Sequence, residues 1–272
     1  MKRKIIQIAG STQLVSLPRA WCKQRELKKG QEVNVTETSD GLLVATEGQV
    51  TLKTKTIDLN EISILKNRLV ITLYQQGYDE IRIQYSDGAQ VRSIIERAIP
   101  ELIGMEIIEQ KPTMLILKDI SGSSGEDYDT VLRRVFHILG QLIQDGSAGA
   151  TAEHFLSVEQ TINKFTNYCL RALSKKRTLK HEHQYMLIQN LERAADELKE
   201  NGEKMTKKER LFLGVTSTYY TRLNALYYKY SLEDAEKTAL LYERLKKTTP
   251  ANLKLYVESL LRTYDCVINI NL

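Results

Sequence analysis

From residue 126 to residue 272, apolar side chains recur at helical spacing almost without interruption, and this limits the fold more than any other feature. Tyr128, Val131, Leu132, Val135, Leu139 and Leu142 form a first stripe, expected to end at Gly146. Phe155, Val158, Ile162, Phe165, Tyr168 and Cys169 form a second. A third spans roughly residues 181–199 and stops at Asn201-Gly202. A fourth starts near Thr206 and passes through Leu211, Val215, Tyr219, Leu223, Leu226 and Tyr230. Ser231 with Asp234 is an N-terminal capping pattern for a fifth. Thr249-Pro250 separates it from a sixth, which carries Leu253, Tyr256, Leu260, Leu261 and Val267. Each amphipathic helix must bury its stripe against another, so short connections predict antiparallel bundles, here two stacked three-helix units. The tyrosines between Tyr219 and Tyr230 fall at core spacing and are read as packing residues rather than a stacking surface for bases.

The opening of the chain, residues 2–47, is built differently. Ile5, Ile6 and Ile8 form a short apolar run that stops at the turn cluster Ala9-Gly10-Ser11. Leu14, Val15 and Leu17 form another, closed by Pro18. Proline favours the first helical position, so residues 19–26 are expected to be one short helix holding Trp21. Val33 and Val35 alternate with polar residues, Asp40-Gly41 is a hairpin turn, and Leu42, Leu43 and Val44 return from it. A stretch under about 50 residues usually needs a metal, a disulfide or a partner chain to fold. It contains no metal cluster and no cysteine pair, so pairing with a second copy is expected. Lys2, Arg3, Lys4, Arg19, Lys23, Arg25, Lys28 and Lys29 make it basic. Cations near phosphates add salt-dependent affinity, and Ser11, Thr12 and Gln13 can donate to phosphate oxygens or read base edges. Read without a fold around it, the same run is a solvated face and a polar turn.

Three features together, the Leu-Val-Ser-Leu-Pro-Arg-Ala-Trp segment, Leu-Lys-Lys-Gly-Gln-Glu-Val and the Asp-Gly-Leu-Leu hairpin, resemble the swapped-hairpin DNA-binding domains of the AbrB and MazE class, the SpoVT-AbrB type. The resemblance implies that two chains interleave their strands. It also implies that the interstrand loops present Lys2, Arg3, Lys4, Ser11, Thr12, Gln13, Arg19, Lys23 and Arg25 to DNA.

Between the two parts, residues 49–120 read as a small α/β unit. Residues 51–59 alternate as a strand. Ile62, Leu65, Leu69, Val70, Leu73 and Tyr74 fall at helical spacing before Gly77. Ile81, Ile83 and Tyr85 alternate, turned by Asp87-Gly88. Val91, Ile94, Ile95, Ala98 and Leu102 form a helix that Pro100 interrupts, and Ile107-Ile108 and residues 114–117 are strands. The order suggests a sheet with helices on one face. The region contains no phosphate-cradling glycine loop and no catalytic constellation. It reads as a packed connector, or as a unit that binds a small ligand or pairs with its copy. Ser121-Gly122-Ser123-Ser124-Gly125 is a linker. The expected organisation is therefore α+β multidomain: 1–48 a swapped-hairpin β domain, 49–120 the α/β domain, 121–125 the linker and 126–272 an all-α bundle.

The chain has 272 residues, a formal net charge of +5 and three scattered cysteines. The length has room for about two domains. The charge permits nucleic acid without requiring it. Cys22, Cys169 and Cys266 are too few and too far apart for a disulfide framework or zinc spacing. His181 and His183, in a basic turn, also lack zinc spacing. The apolar run at residues 5–9 is too short for a signal-peptide core, and no run approaches a membrane span. The expectation is a cytoplasmic protein with no membrane insertion.

Asn190 to Asp196 reads Asn-Leu-Glu-Arg-Ala-Ala-Asp and resembles the Glu-Arg-Ile-Gly-Asp signature of PhoU-type phosphate regulators. The four-residue spacing puts both carboxylates on one helix face. In that family paired helices of this kind make an oxygen-rich cation site. The third helix keeps Glu192 and Asp196, the second offers Glu159 with Asn163 where an Asp is expected, and the sixth keeps only Asp265. Glu159, Asn163, Glu192 and Asp196 are thus the candidate ligands for a divalent or iron-type cation, although the resemblance requires no cofactor. The other reading is a set of salt bridges, such as Asp196 with Lys199.

Head, middle and tail in this order resemble the prokaryotic, chiefly archaeal, AbrB–PhoU fusion regulators. The resemblance implies a transcription regulator of phosphate uptake, not an enzyme. It would bind promoter DNA as a homodimer or higher even oligomer and sense through its tail. The alternative is an interaction protein that docks on a phosphate transporter or its signalling kinase without binding DNA. An enzyme reading lacks glutamate-plus-histidine pairs on facing helices.

Overall fold

Short strands and one short helix make up the described part of the first unit, Met1–Thr51, and a mixed sheet with long helices makes up the second, Leu52–Leu272. The computed structural model describes residues 3–8, 12–38, 41–46, 52–62, 64–121, 127–175 and 180–272. The fold is α+β.

In the first unit β1 (Ile5–Ile8) and β2 (Thr12–Val15) are antiparallel, with Ile5 opposite Val15 and Ile8 opposite Thr12. Pro18 is the N-cap of α1 (Arg19–Gln24), one position earlier than expected, with its ring holding φ at −63°. The helix is also two residues shorter than expected. Glu26 takes a left-handed backbone, φ 51°, while Glu26 N–H donates to Lys23 O and Leu27 N–H to Cys22 O. That pair of bonds satisfies the last carbonyls and stops the helix. β3 (Val33–Thr38) and β4 (Gly41–Thr46) form a second antiparallel pair with Val35 opposite Val44. Asp40, the expected turn residue, lies outside the described residues, as do Lys2, Ser11 and 122–125 of the expected linker.

In the second unit four strands are ordered β5-β6-β8-β7: β5 (Thr54–Asp58), β6 (Glu80–Gln84), β7 (Met105–Lys111) and β8 (Met114–Asp119). β5 and β6 are parallel, and the other neighbours are antiparallel. The parallel pair requires a crossover, supplied by α2 (Lys66–Gln75). Ile81, Ile83 and Tyr85 are buried while Arg82 and Gln84 between them are exposed, so one sheet face carries the core. Val70, Leu73, Tyr74, Val91 and Ile94 complete that core from the helical side. α3 (Gly88–Ser93) starts from a capping box made by Asp87 and Gln90. It then widens into a π turn, Ile94–Ala98, and tightens into a 3₁₀ turn, Ile99–Glu101. Pro100 has no N–H to continue an α-helical ladder, which accounts for the expected interruption.

The six expected helices follow: α4 (Tyr128–Ala148), α5 (Ala152–Lys175), α6 (His181–Asn201), α7 (Lys207–Tyr228), α8 (Leu232–Thr248) and α9 (Lys254–Asn271). α4 packs on α5 and α7, α6 runs along α9, and α8 lies against α7 and α9. The six helices share one continuous apolar core and do not divide into the two stacked three-helix units expected. Thr206 and Glu209 make a capping box for α7, and Ser231 Oγ accepts from Asp234 N–H at the start of α8. α4 does not end at Gly146. Gly146 is where Phe155 and Leu213 press against the helix, and the stop comes at Gly149, φ 95°. A Cβ on Gly202 would collide with the same Phe155 ring. His181 and His183 are in the first turn of α6 rather than in a connecting turn. Tyr219 and Tyr220 are buried, as core spacing requires, and Tyr220 Oη donates to Phe136 O at 2.9 Å.

The expected boundary between middle and tail falls inside the second unit, because α5 packs directly on α2. Arg171 is the centre of that contact. It is 4% exposed. Nη1 donates to Tyr74 O (2.9 Å) and Tyr78 O (2.7 Å), and Nη2 to Asp79 Oδ1 (3.2 Å) and Asp119 Oδ2 (2.7 Å). The guanidinium also lies 4.8 Å from the centre of the Tyr74 ring. Lys175 adds bonds to both carboxylates, at 2.8 and 3.1 Å. Gln75 Nε2 donates to Asn167 Oδ1 at 2.7 Å. The carbonyls at the end of α2 carry the negative end of its dipole, so a cation is favoured there. Burial alone would raise Asp119, but hydrogen bonds from Ser121, Arg171 and Lys175 outweigh it and pull the carboxyl down to about 2.

Replacing Arg171 with Ala leaves the Asp79 and Asp119 carboxylates to Lys175 alone and removes the donor to the Tyr74 and Tyr78 carbonyls, and the expected loss at neutral pH is about 3–5 kcal/mol. The Asp119 carboxyl is depressed from an ordinary 3.8, so the stability it contributes is present above that value and fades as pH falls toward 2. Urea unfolding midpoints should therefore separate wild type from Arg171→Ala widely at neutral pH and converge in acid. Equal midpoints at neutral pH would show that the contact stabilises nothing.

Candidate nucleic-acid interface and carboxylate cluster

The first unit has little interior. No described residue between 3 and 46 with an assigned exposure is buried. Ile5 is 72% exposed and Leu42 65%, and Ile6, Ile8, Leu14, Val15 and Val35 are exposed as well. Ile5 and Ile6 are adjacent in one strand and so point to opposite faces, yet both are uncovered. Burying such a side chain is worth about 1.5–3 kcal/mol, and within one copy that gain is not realised. Trp21 and Cys22 are half-buried on α1.

The predicted contact residues that are described all reach solvent. Arg3 and Lys4 precede β1, Thr12 and Gln13 open β2, Arg19 and Lys23 lie on α1, and Arg25 follows it. Arg19 and Lys23 are one helical turn apart and share a face. No described carboxylate forms an ion pair with any of these cations. They are therefore available to phosphate. Lys2 and Ser11 lie outside the described residues.

In the second unit the four candidate metal ligands come together on α5 and α6, with an unforeseen companion. Lys199 Nζ donates to Glu159 Oε1 at 3.0 Å and to Asp196 Oδ1 at 3.3 Å. Asn163 Nδ2 donates to the same Glu159 oxygen at 2.8 Å. The ammonium thus bridges the two carboxylates that would hold a cation, and Asn163 turns a donor rather than its carbonyl toward Glu159. Among the described residues no three His, Cys, Asp or Glu side chains converge in a metal-holding group. Among the described residues the Asn163 Oδ1 is buried with no hydrogen-bond partner. The Asp196–Lys199 pair is the salt bridge named as the other reading.

The cluster is electrostatically crowded. Burial first, then Asp196, Glu159 and Glu101, push Glu192 up to about 7. Burial and then the Asp196 contact raise Glu159, which is 4% exposed. Burial would lower the Lys199 ammonium, but its bond to Glu159 and the charges of Glu159 and Asp196 hold it above its ordinary value. Glu101, from the 3₁₀ turn of the sheet half, is raised by burial and by Glu159 and also accepts from Asn167 at 3.4 Å. Sequence spacing on α5 and α6 does not point to Glu101, because no periodicity relates residue 101 to residue 159. Arg171, Asp79 and Asp119 are likewise unmarked, apart from a lone Arg in the apolar run Cys169-Leu170-Arg171-Ala172-Leu173.

No family model, no curated protein and no solved structure matches this chain.

A carboxyl held at about 7 against an ordinary 4.5 binds its proton more tightly when folded. Its contribution to stability is complete below the ordinary value and falls as pH rises through the folded one. Replacing Glu192 with Gln should therefore raise stability at about pH 8, by on the order of 1–2 kcal/mol, and leave it unchanged at about pH 4. Thermal unfolding at the two pH values checks this. An equal effect at both would mean that Glu192 is not the strained group.

Proposed function

We propose that this chain is a DNA-binding transcription regulator of phosphate uptake, acting as a dimer through residues 1–48. One observation carries the reading: the first unit combines uncovered apolar strands with cations that have no carboxylate partner among the described residues. Uncovered strands of this kind call for a second chain, and unpaired cations on the same small unit suit a polyanion. The resemblance to swapped-hairpin domains supplies the arrangement, in which the second copy covers the strands. Arg3, Lys4, Arg19, Lys23 and Arg25, with Lys2, position the head on phosphates, while Thr12 and Gln13, with Ser11, make the shorter contacts.

The phosphate signal is assigned to the tail on its resemblance to PhoU-type bundles. Six helices on one shared core support that assignment. Signalling requires only that the tail's ligand or partner favour one state of the dimer over another. The described helices include none long and apolar enough to cross a membrane.

Fluorescence anisotropy with promoter-length duplexes across a salt series tests the reading. Binding should weaken steeply with salt, with a logarithmic slope of about −0.9 per phosphate contact. Arg19→Glu should weaken every sequence alike and flatten the slope by about one contact or more. Sedimentation should show an even oligomer. Absence of binding even at low salt would leave the interaction-protein alternative, in which the tail docks on a transporter or kinase.

A further inference from the structure

A cleft of about 570 Å³ runs between α5 and the π and 3₁₀ turns that follow α3. Its α5 wall is one helical stripe: Ser157, Gln160 and Lys164 recur at three- and four-residue steps. The opposite wall is Glu96, Arg97 and Glu101. Arg97 and Glu96 belong to the π turn, a departure from helical geometry that recurs at functional sites. Neither Arg97 nor Lys164 has an ion-pair or hydrogen-bond partner for its side chain among the described residues, although carboxylates line the same cleft. The two cations come from opposite walls, so a ligand that satisfied both would bridge the sheet half and the bundle.

We propose that this cleft binds a small phosphomonoester that also carries hydroxyl groups, with Arg97 and Lys164 on the phosphate and Glu96 and Glu101 accepting from the hydroxyls. A phosphomonoester dianion matches two cations, and its three terminal oxygens can also accept from Ser157 and Gln160. A volume of about 570 Å³ lies in the range of pockets for whole small molecules and exceeds what a bare oxyanion needs. The two carboxylates disfavour a second anionic group and suit donors. The proposal stands whether or not the first unit binds DNA.

Calorimetric titration of the full chain tests it, with adenosine 5′-monophosphate and glucose 6-phosphate as probes and with adenosine, glucose and inorganic phosphate as controls. At least one phosphomonoester should bind, at least tenfold more tightly than its dephosphorylated form and than inorganic phosphate. Arg97→Ala and Lys164→Ala should each weaken that binding tenfold or more. Both residues are exposed, so the variants should keep wild-type circular dichroism and melting. Failure of both phosphomonoesters to bind overturns the proposal. So does binding that survives either substitution unchanged, or inorganic phosphate binding as tightly as the esters.

Discussion

A buried guanidinium, Arg171, is the centre of the contact that joins the sheet half of the larger unit to its helical half. Removing Arg171 from water is costly, and the cost is offset by four acceptors: the Tyr74 carbonyl in the last turn of α2, the Tyr78 carbonyl just beyond it, and the carboxylates of Asp79 and Asp119. Those acceptors come from the sheet half, while Arg171 comes from the bundle. The result is one unit where the order of elements alone would allow two. α5 is therefore more than one member of a bundle. Along its length it carries Ser157 and Lys164 of the cleft, Glu159 of the carboxylate cluster, and Arg171 at the joint.

The carboxylate cluster shows the opposite economy of charge. Burial first, and then neighbouring carboxylates, raise the proton affinity of Glu101, Glu159 and Glu192, while the Lys199 ammonium pairs with Glu159 and Asp196. Partial neutralisation of Glu192 relieves some of the excess. A lysine three residues after Asp196 can reach back over that turn, so the counter-ion comes from the same helix.

The first unit follows a third principle. Each of its strands pairs with one neighbour, yet none of its described residues with an assigned exposure is buried. Secondary structure of this kind is stable only when another surface supplies the missing interior. The first unit and the larger one thus differ in how much they bury. The larger has two apolar cores within the chain, and the described residues of the first include no buried side chain.

Much of the local structure was legible in the residues. Stripes at 3.6-residue spacing marked α4 to α9, Thr206 and Ser231 marked helix starts, and alternation at Ile81, Ile83 and Tyr85 marked β6. Glu192 and Asp196 on one face of α6 followed from spacing alone. Helix ends were less legible. Gly146 reads as a stop, but it is the small residue that admits Phe155 and Leu213, and Gly149 ends the helix instead. Lys199 could be found as a neighbour of Asp196, but not as the bridge to Glu159 forty residues away. Sequence by itself determined which segments are helix or strand and which face of each is apolar, because those properties depend on neighbours within a few residues. Tertiary structure alone decided that Arg171 meets Asp79 and Asp119, that Glu101 joins the carboxylates of the bundle, and that Arg97 and Lys164 face one cleft. Such meetings depend on how helices pack across dozens of residues, and no local period encodes that distance.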